Sequence, residues 1–292
     1  MNILDKIVAQ KQIEVAASKA QISRADLEKS PLFDRQGLSL KQKLVVSSQF
    51  VIPTKEESNT AVLDASFRQH DKIDITGIIA EFKRQSPSLG VINANVQVEV
   101  VTRGYADAGA AGLSVLTDTA FFGGSFQDFH QARAANSTTP MLRKDFMVDE
   151  YQLWEAKAMG ADVILLIAAC LSPEEINKLA QQAHILGMEV LLEVHDRQEL
   201  ESSLCQHIDL VGVNNRNLKT FVTNIETSVE LSALIPDEFV KVSESGLKDV
   251  QTIQELRKIG YTGFLIGETF MKTPNPAGAL AALSNELKQL SV

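Results

Sequence analysis

From residue 75 onward, short apolar runs alternate with stretches in which apolar positions recur at helical spacing. The apolar runs fall at 75–82, 113–116, 140–143, 163–168, 189–194, 210–213, 239–242 and 263–266. Between them, stretches such as 96–108, 173–186 and 248–259 read as helices. The second carries its own punctuation. Ser172-Pro173-Glu174-Glu175 places an N-cap serine before proline and two acids, and Gly187 follows as a stop. Eight strand-like runs separated by helices, with no hairpin signal, predict parallel βα units. Eight such units close an α/β barrel of the (β/α)8 TIM type. The structural alternative is an open doubly wound sheet, but the first βα turn has no Gly-x-Gly-x-x-Gly fingerprint.

Residues 1–74 stand outside this count and are expected to form an N-terminal helical extension and loop packing on a barrel domain of residues 75–292. Ile3, Leu4, Ile7, Val8 and Val15 fall near helical spacing, so 2–20 predicts an amphipathic helix. The stretch 47–74 is polar, contains Pro53 and reads as an exposed loop. The helical stripe must be buried against something. It either lies across the barrel mouth or plugs the opposite face, and the pattern leaves both open.

Composition narrows the function classes. The 292 residues are 45% hydrophobic and 22% charged, ordinary for a soluble globular protein. A net charge of −9 gives nonspecific nucleic-acid binding no electrostatic support. No apolar run reaches the length of a membrane span, and the N-terminus lacks a signal-peptide core. Cys170 and Cys205 show no metal-ligand spacing and read as reduced packing residues, so the cytoplasm is the expected compartment. Histidines stand at 70, 130, 184, 195 and 207, and Glu193-x-His195 has no third ligand at useful spacing; no metal site is expected.

The strand ends carry the chemistry. The first run stops on Glu81 and Lys83, two residues apart and therefore on one side of an extended strand, above Gly77 and Ile79. The third stops on Arg143-Lys144-Asp145-Phe146. Charges at the end of a core strand must be paired or face a wet cleft, because burying them alone is costly. In a barrel the strand C-termini converge on the catalytic mouth. A structural ion pair would explain one such strand, but several strands end this way.

These motifs, taken in order, resemble those of indole-3-glycerol-phosphate synthase, a barrel enzyme of tryptophan biosynthesis. They are Ile79-Ala80-Glu81-Phe82-Lys83 with Ser86-Pro87-Ser88; Leu116-Thr117-Asp118 with Phe122-Gly123-Gly124-Ser125; Arg143-Lys144-Asp145-Phe146; Leu165-Leu166-Ile167; Leu191-Leu192-Glu193-Val194-His195; Asn214-Asn215-Arg216-Asn217-Leu218; Ser243-Glu244-Ser245-Gly246; and Leu265-Ile266-Gly267-Glu268. Two stretches depart from the family pattern. Residues 45–74 form a longer lead into the first strand, and Val91-Ile92-Asn93-Ala94-Asn95 replaces the commoner entry to the first barrel helix.

The resemblance implies a lyase that converts 1-(2-carboxyphenylamino)-1-deoxyribulose 5-phosphate to indole-3-glycerol phosphate, releasing carbon dioxide and water. It implies no cofactor, since no hydride moves, and a small phosphorylated substrate with neither nucleic acid nor membrane as partner. A monomer or weak homodimer is expected. Lys144 is expected to be the general acid at the ketone oxygen, its pKa lowered by neighbouring cations. Glu193 and Glu81 would divide proton transfer in the dehydration half. Lys83 would hold the substrate carboxylate or phosphate, Asn214 a hydroxyl, and Arg216 a carboxylate. Ser86 and Glu244 would also touch substrate, with Phe122 and Phe146 flanking its aromatic ring. Phosphate is expected at Ser245, Gly246, Gly267 and the backbone N–H of Glu268, in the loops after the last two strands, with residues 269–271 forming a short helix behind it. Two rival readings predict different strand ends or losses. A phosphoribosylanthranilate isomerase would be expected to end its first strand in cysteine and its sixth in aspartate, and a noncatalytic phosphate-binding barrel would have lost one of Lys144, Glu193 or Glu81.

Overall fold

In the computed structural model, which describes residues 3–49, 76–218 and 220–289, eight parallel strands close into one barrel. They are β1 (Ile78–Phe82), β2 (Gly112–Leu116), β3 (Met141–Lys144), β4 (Val163–Ile167), β5 (Glu189–Val194), β6 (Leu210–Asn214), β7 (Val240–Glu244) and β8 (Tyr261–Ile266). Each strand pairs with its sequence neighbours, and β1 closes the ring against β8, with Ile79 opposite Leu265. Each predicted run thus holds one strand, with ends shifted by a few residues. The first starts at Ile78 rather than 75, after Gly77 turns the chain at φ +74°. One antiparallel ribbon escaped the pattern: Gln85–Ser86 pairs with Gly90–Val91 directly after β1.

The strands sort their side chains by parity. Ile78, Ala80 and Phe82 face outward into the layer shared with the helices, whereas Ile79 faces the barrel interior with Leu142, Leu191 and Val242. Helices α4 (Val98–Asp107), α5 (Phe126–Ala135), α6 (Tyr151–Ala158), α7 (Pro173–Ile185), α8 (Arg197–Ser203), α9 (Glu226–Ser232), α10 (Val250–Lys258), α11 (Glu268–Met271) and α12 (Pro276–Gln289) complete the units, following α1 (Ile3–Gln21), α2 (Arg24–Leu27) and α3 (Leu40–Gln49) of the N-terminal segment. Helix α7 begins as its sequence predicts. Ser172 accepts from the Glu175 N–H, and Glu175 accepts from the Ser172 N–H at 2.8 Å in return.

The N-terminal segment serves both faces of the barrel. On α1, Ile7, Lys11 and Val15 are buried, and Ile3, Leu4 and Ile7 line the cavity at the strand C-termini. Helix α3 sits at the other end. Its first N–H groups, from Leu40 and Lys41, donate to Glu189 Oε2 at 2.9 and 3.0 Å, where β5 begins. A carboxylate there is favoured by the helix dipole. Leu40 and Leu44 then enter the barrel interior from below, both fully buried. Ser47, expected in an exposed loop, is instead buried within α3. The rest of that loop prediction lies almost wholly outside the described residues.

Candidate active site

The mouth is built by extending the interior alternation one step. Two residues beyond Ile79, Leu142, Leu191 and Val242 stand Glu81, Lys144, Glu193 and Glu244, each at the C-terminal end of its strand. All four come from odd-numbered strands, as expected for one layer of a barrel interior. Three carboxylates and one ammonium thus ring the floor of a cavity of about 480 Å³.

Lys144 Nζ donates to Glu193 Oε2 at 2.9 Å and lies 3.9 Å from Glu244 Oε2. Glu193 is held from two more sides: Asn214 Nδ2 donates to Oε1 at 3.1 Å, and His195 Nε2 lies 3.4 Å from the same oxygen. His195 Nδ1 is in turn 3.1 Å from Glu199, so the imidazole bridges two carboxylates. Lys83 Nζ donates to Glu81 Oε1 at 2.5 Å, and Ser114 Oγ approaches Glu81 Oε2 at 3.4 Å. Glu244 Oε1 is buried without a hydrogen-bond partner. It lies over Gly212 of β6, where any Cβ would overlap it.

The charge state of Lys144 differs from expectation. Burial alone would lower its pKa, but Glu193, Glu244 and Glu81 outweigh burial and hold it well above the ordinary lysine value. The cations expected to depress it are replaced by acids. Glu193 is opposed by burial too, but Lys144 and His195 keep it ionised far below the usual carboxylate range. Glu244 goes the other way. Burial, followed by repulsion from Glu193, pushes it up to about 8 against the pull of Lys144. His195, despite burial, rises to about 10 through its bonds to Glu193 and Glu199.

The expected substrate-binding residues surround this floor. Ser86, Phe122, Phe146, Arg216, Ser245 and Gly246 all line the cavity, as do Gly267 and Glu268. Phe122 and Phe146 tilt toward each other with ring centroids 6.0 Å apart. Arg216, expected to offer a free fork, donates to Ser88 Oγ at 2.5 Å and to Glu268 Oε2 at 3.0 Å, stitching the β1, β6 and β8 loops together. Ser245 takes φ +67° and Gly246 φ +78°. A serine held there is strained, and such strain collects at ligand-binding turns.

The sequence assigns no role to several residues found at or behind the cavity wall. Leu218 and Phe221 come from the β6 loop, where Phe221 has φ +58°. Asp118 and Asp145 sit behind the two aromatics. The available signal was an acid at a strand end just ahead of phenylalanine: Asp145 directly precedes Phe146, and Asp118 stands three and four residues before Phe121 and Phe122.

The chain matches the indole-3-glycerol phosphate synthase family model over residues 40–283. It is 44% identical over 279 residues to an indole-3-glycerol phosphate synthase of Bacteroides thetaiotaomicron, covering 96% of each chain. This chain belongs to the indole-3-glycerol phosphate synthase family. A second synthase of the family, from Burkholderia vietnamiensis, is 41% identical over 282 residues, 97% of this chain and 98% of its own. Solved structures extend the likeness in fold alone. A 3-hexulose-6-phosphate synthase from Salmonella typhimurium superposes with a TM-score of 0.59 at 13% identity, over 73% of this chain and 98% of its own. KGPDC from Streptococcus mutans gives 0.56, also at 13% identity, over 73% and 97%. Among the described residues, no helix is long and apolar enough to cross a membrane.

Proposed function

We propose that this member of the synthase family performs the family's carboxy-lyase reaction, closing 1-(2-carboxyphenylamino)-1-deoxyribulose 5-phosphate to indole-3-glycerol phosphate. The observation that carries the reading is the layer of Glu81, Lys144, Glu193 and Glu244 on the cavity floor, with an aromatic pair on the wall above it.

In ring closure the aromatic carbon bearing the carboxylate bonds to the ketone carbon, and the ketone oxygen takes a proton. Lys144 supplies it. Its raised pKa keeps the proton in place at neutral pH, and its charge meets the oxyanion as that develops. The carbon–carboxylate bond then breaks, carbon dioxide leaves, and the electron pair returns to the ring. Loss of the new hydroxyl as water needs an acid, and removal of a carbon-bound proton from the new five-membered ring, which completes the indole, needs a base. Glu193 and Glu81 divide those tasks.

Lys83 neutralises the substrate carboxylate until it leaves, Asn214 donates to a hydroxyl, and Phe122 and Phe146 flank the aromatic half. Phosphate rests against Ser245, Gly246, Gly267 and the N–H of Glu268. The Glu268 carboxylate is turned toward Arg216 instead, which leaves the anion pocket free of it. The test is to incubate the purified protein with the carboxyphenylamino substrate and follow indole fluorescence together with carbon dioxide release. Equimolar formation of both supports the reading, and neither product at any protein concentration overturns it.

A further inference from the structure

Lys11 is a lysine on the buried stripe of α1, between Ile7 and Val15, with its side chain only 5% exposed. Its ammonium lies 2.9 Å from Asp145 Oδ1, 3.1 Å from Asp118 Oδ2 and 2.7 Å from Glu14. Asp118 and Asp145 follow β2 and β3, and each folds the turn that presents one aromatic of the cavity wall. Asp118 Oδ1 accepts from the N–H groups of Phe121 and Phe122 at 2.8 and 3.2 Å. Asp145 Oδ1 accepts from the Phe146 N–H at 2.9 Å.

The two acids are unequally supported. Asp145 Oδ2 also accepts from Thr117 Oγ1 at 2.6 Å and from Arg143 at 3.1 Å. Asp118 Oδ2 has no hydrogen-bond partner, and Lys11 is the cation paired with it among the described residues. An unpaired buried carboxylate is costly, so without Lys11 the Asp118 turn must shift toward water or take up a proton.

From this geometry we infer that Lys11 is a positioning residue: it ties α1 to both aspartates at once and thereby sets the spacing of Phe122 and Phe146 for the aromatic half of the substrate. Lys11 reaches no reacting atom. The inference rests on the proposed function only for the identity of the aromatic ligand, since the coupling between helix and wall is a property of the protein alone.

Lys11→Met removes the charge and keeps the stem. Two measurements then separate positioning from general support. In the first, amide hydrogen exchange at Phe121, Phe122 and Phe146 is expected to quicken about tenfold or more, while the strand amides of β5 to β8 stay as in the wild type. In the second, KM for the carboxyphenylamino substrate is expected to rise about tenfold or more, while inorganic phosphate, used as a competitive probe of the other end of the cavity, binds within about twofold of wild type. Lys11→Arg, which keeps the charge, should recover part of the KM change. Should Lys11→Met fail to fold, the double variant Lys11→Met/Asp118→Asn relieves the stranded carboxylate and keeps the amide acceptor for Phe121. It should fold and retain the raised KM.

Unchanged exchange at the three phenylalanines, or a loss of phosphate affinity as large as the loss of substrate affinity, overturns the inference. Wild-type protein that fails to turn over the substrate would overturn the proposed function instead, and the exchange measurement would still decide the role of Lys11.

Discussion

Lys144 and Glu193 meet across the barrel mouth as a partly buried ion pair, Nζ to Oε2 at 2.9 Å, each fixing the other's charge. Removing the ammonium leaves Glu193, Glu244 and Glu81 facing the cavity, with Lys83 bonded to Glu81 and His195 beside Glu193 as the remaining cations. Lys144→Ala is therefore expected to reduce kcat by about 10²–10⁴, the usual cost of a lost general acid, with far-UV circular dichroism unchanged. More than half of the wild-type kcat in the variant would refute the assignment.

Glu193→Gln keeps the shape of that side chain and can still accept from Asn214, but it can neither carry nor take the proton of the dehydration half. Ring closure and decarboxylation are expected to survive in part. In a single turnover followed by rapid quench, carbon dioxide should appear ahead of indole. Equal slowing of the two signals would mean that Glu193 acts before the carboxylate leaves.

The floor of this site was legible in the sequence for a physical reason. A strand with a repeat of two must carry its charge into the cavity once its apolar interior residue is placed, so Ile79-x-Glu81, Leu142-x-Lys144 and Leu191-x-Glu193 announce both the barrel and its mouth. Val242-x-Glu244 obeys the same rule. What strand pattern cannot supply is the neighbour. Lys144 was expected among cations because its own segment is basic, yet the groups that set its pKa come from β1, β5 and β7. Lys11 was passed over because a lysine on an amphipathic helix ordinarily marks the wet face. Its place four residues after Ile7 and four before Val15 was the clue that this one is buried. Arg216 likewise read as a free fork, because nothing local announces Ser88 or Glu268 as its partners.

Glu244 makes the fold sensitive to alkali. Its folded pKa, pushed up to about 8 by burial and then by Glu193, lies above the unfolded value of roughly 4.3. The folded state therefore binds a proton more tightly, and the stability this provides is complete at low pH and lost as pH rises through about 8. Glu244→Gln, neutral at every pH, escapes that loss. The melting temperature of the variant minus that of the wild type should climb between pH about 5 and about 8, then level off. A difference that stays flat across this range would show that Glu244 is ionised throughout.

The N-terminal segment predicts two separable phenotypes, because its helices occupy opposite faces. Helix α1 contributes Ile3, Leu4 and Ile7 to the wall of the reaction cavity, and it excludes water that would weaken every electrostatic contact within. Helix α3 contributes Leu40 and Leu44 to the lower interior, away from the strand C-termini. A deletion reaching residue 40 would confound the two, since Arg35 and Leu38 bond Asp162 ahead of β4 and Ser39 bonds Glu189. Deleting residues 1–22 alone is expected to raise KM and lower kcat by more than any drop in melting temperature explains. Leu44→Ala should do the reverse, costing about 2–5 kcal/mol of stability, as a large-to-small change in a packed core does, while leaving KM at its wild-type value. Denaturant melts and steady-state kinetics on both variants decide the matter. A truncated protein with normal kinetics and only lowered stability would assign α1 a purely structural role, and altered KM in Leu44→Ala would mean that the two faces are coupled through the barrel interior.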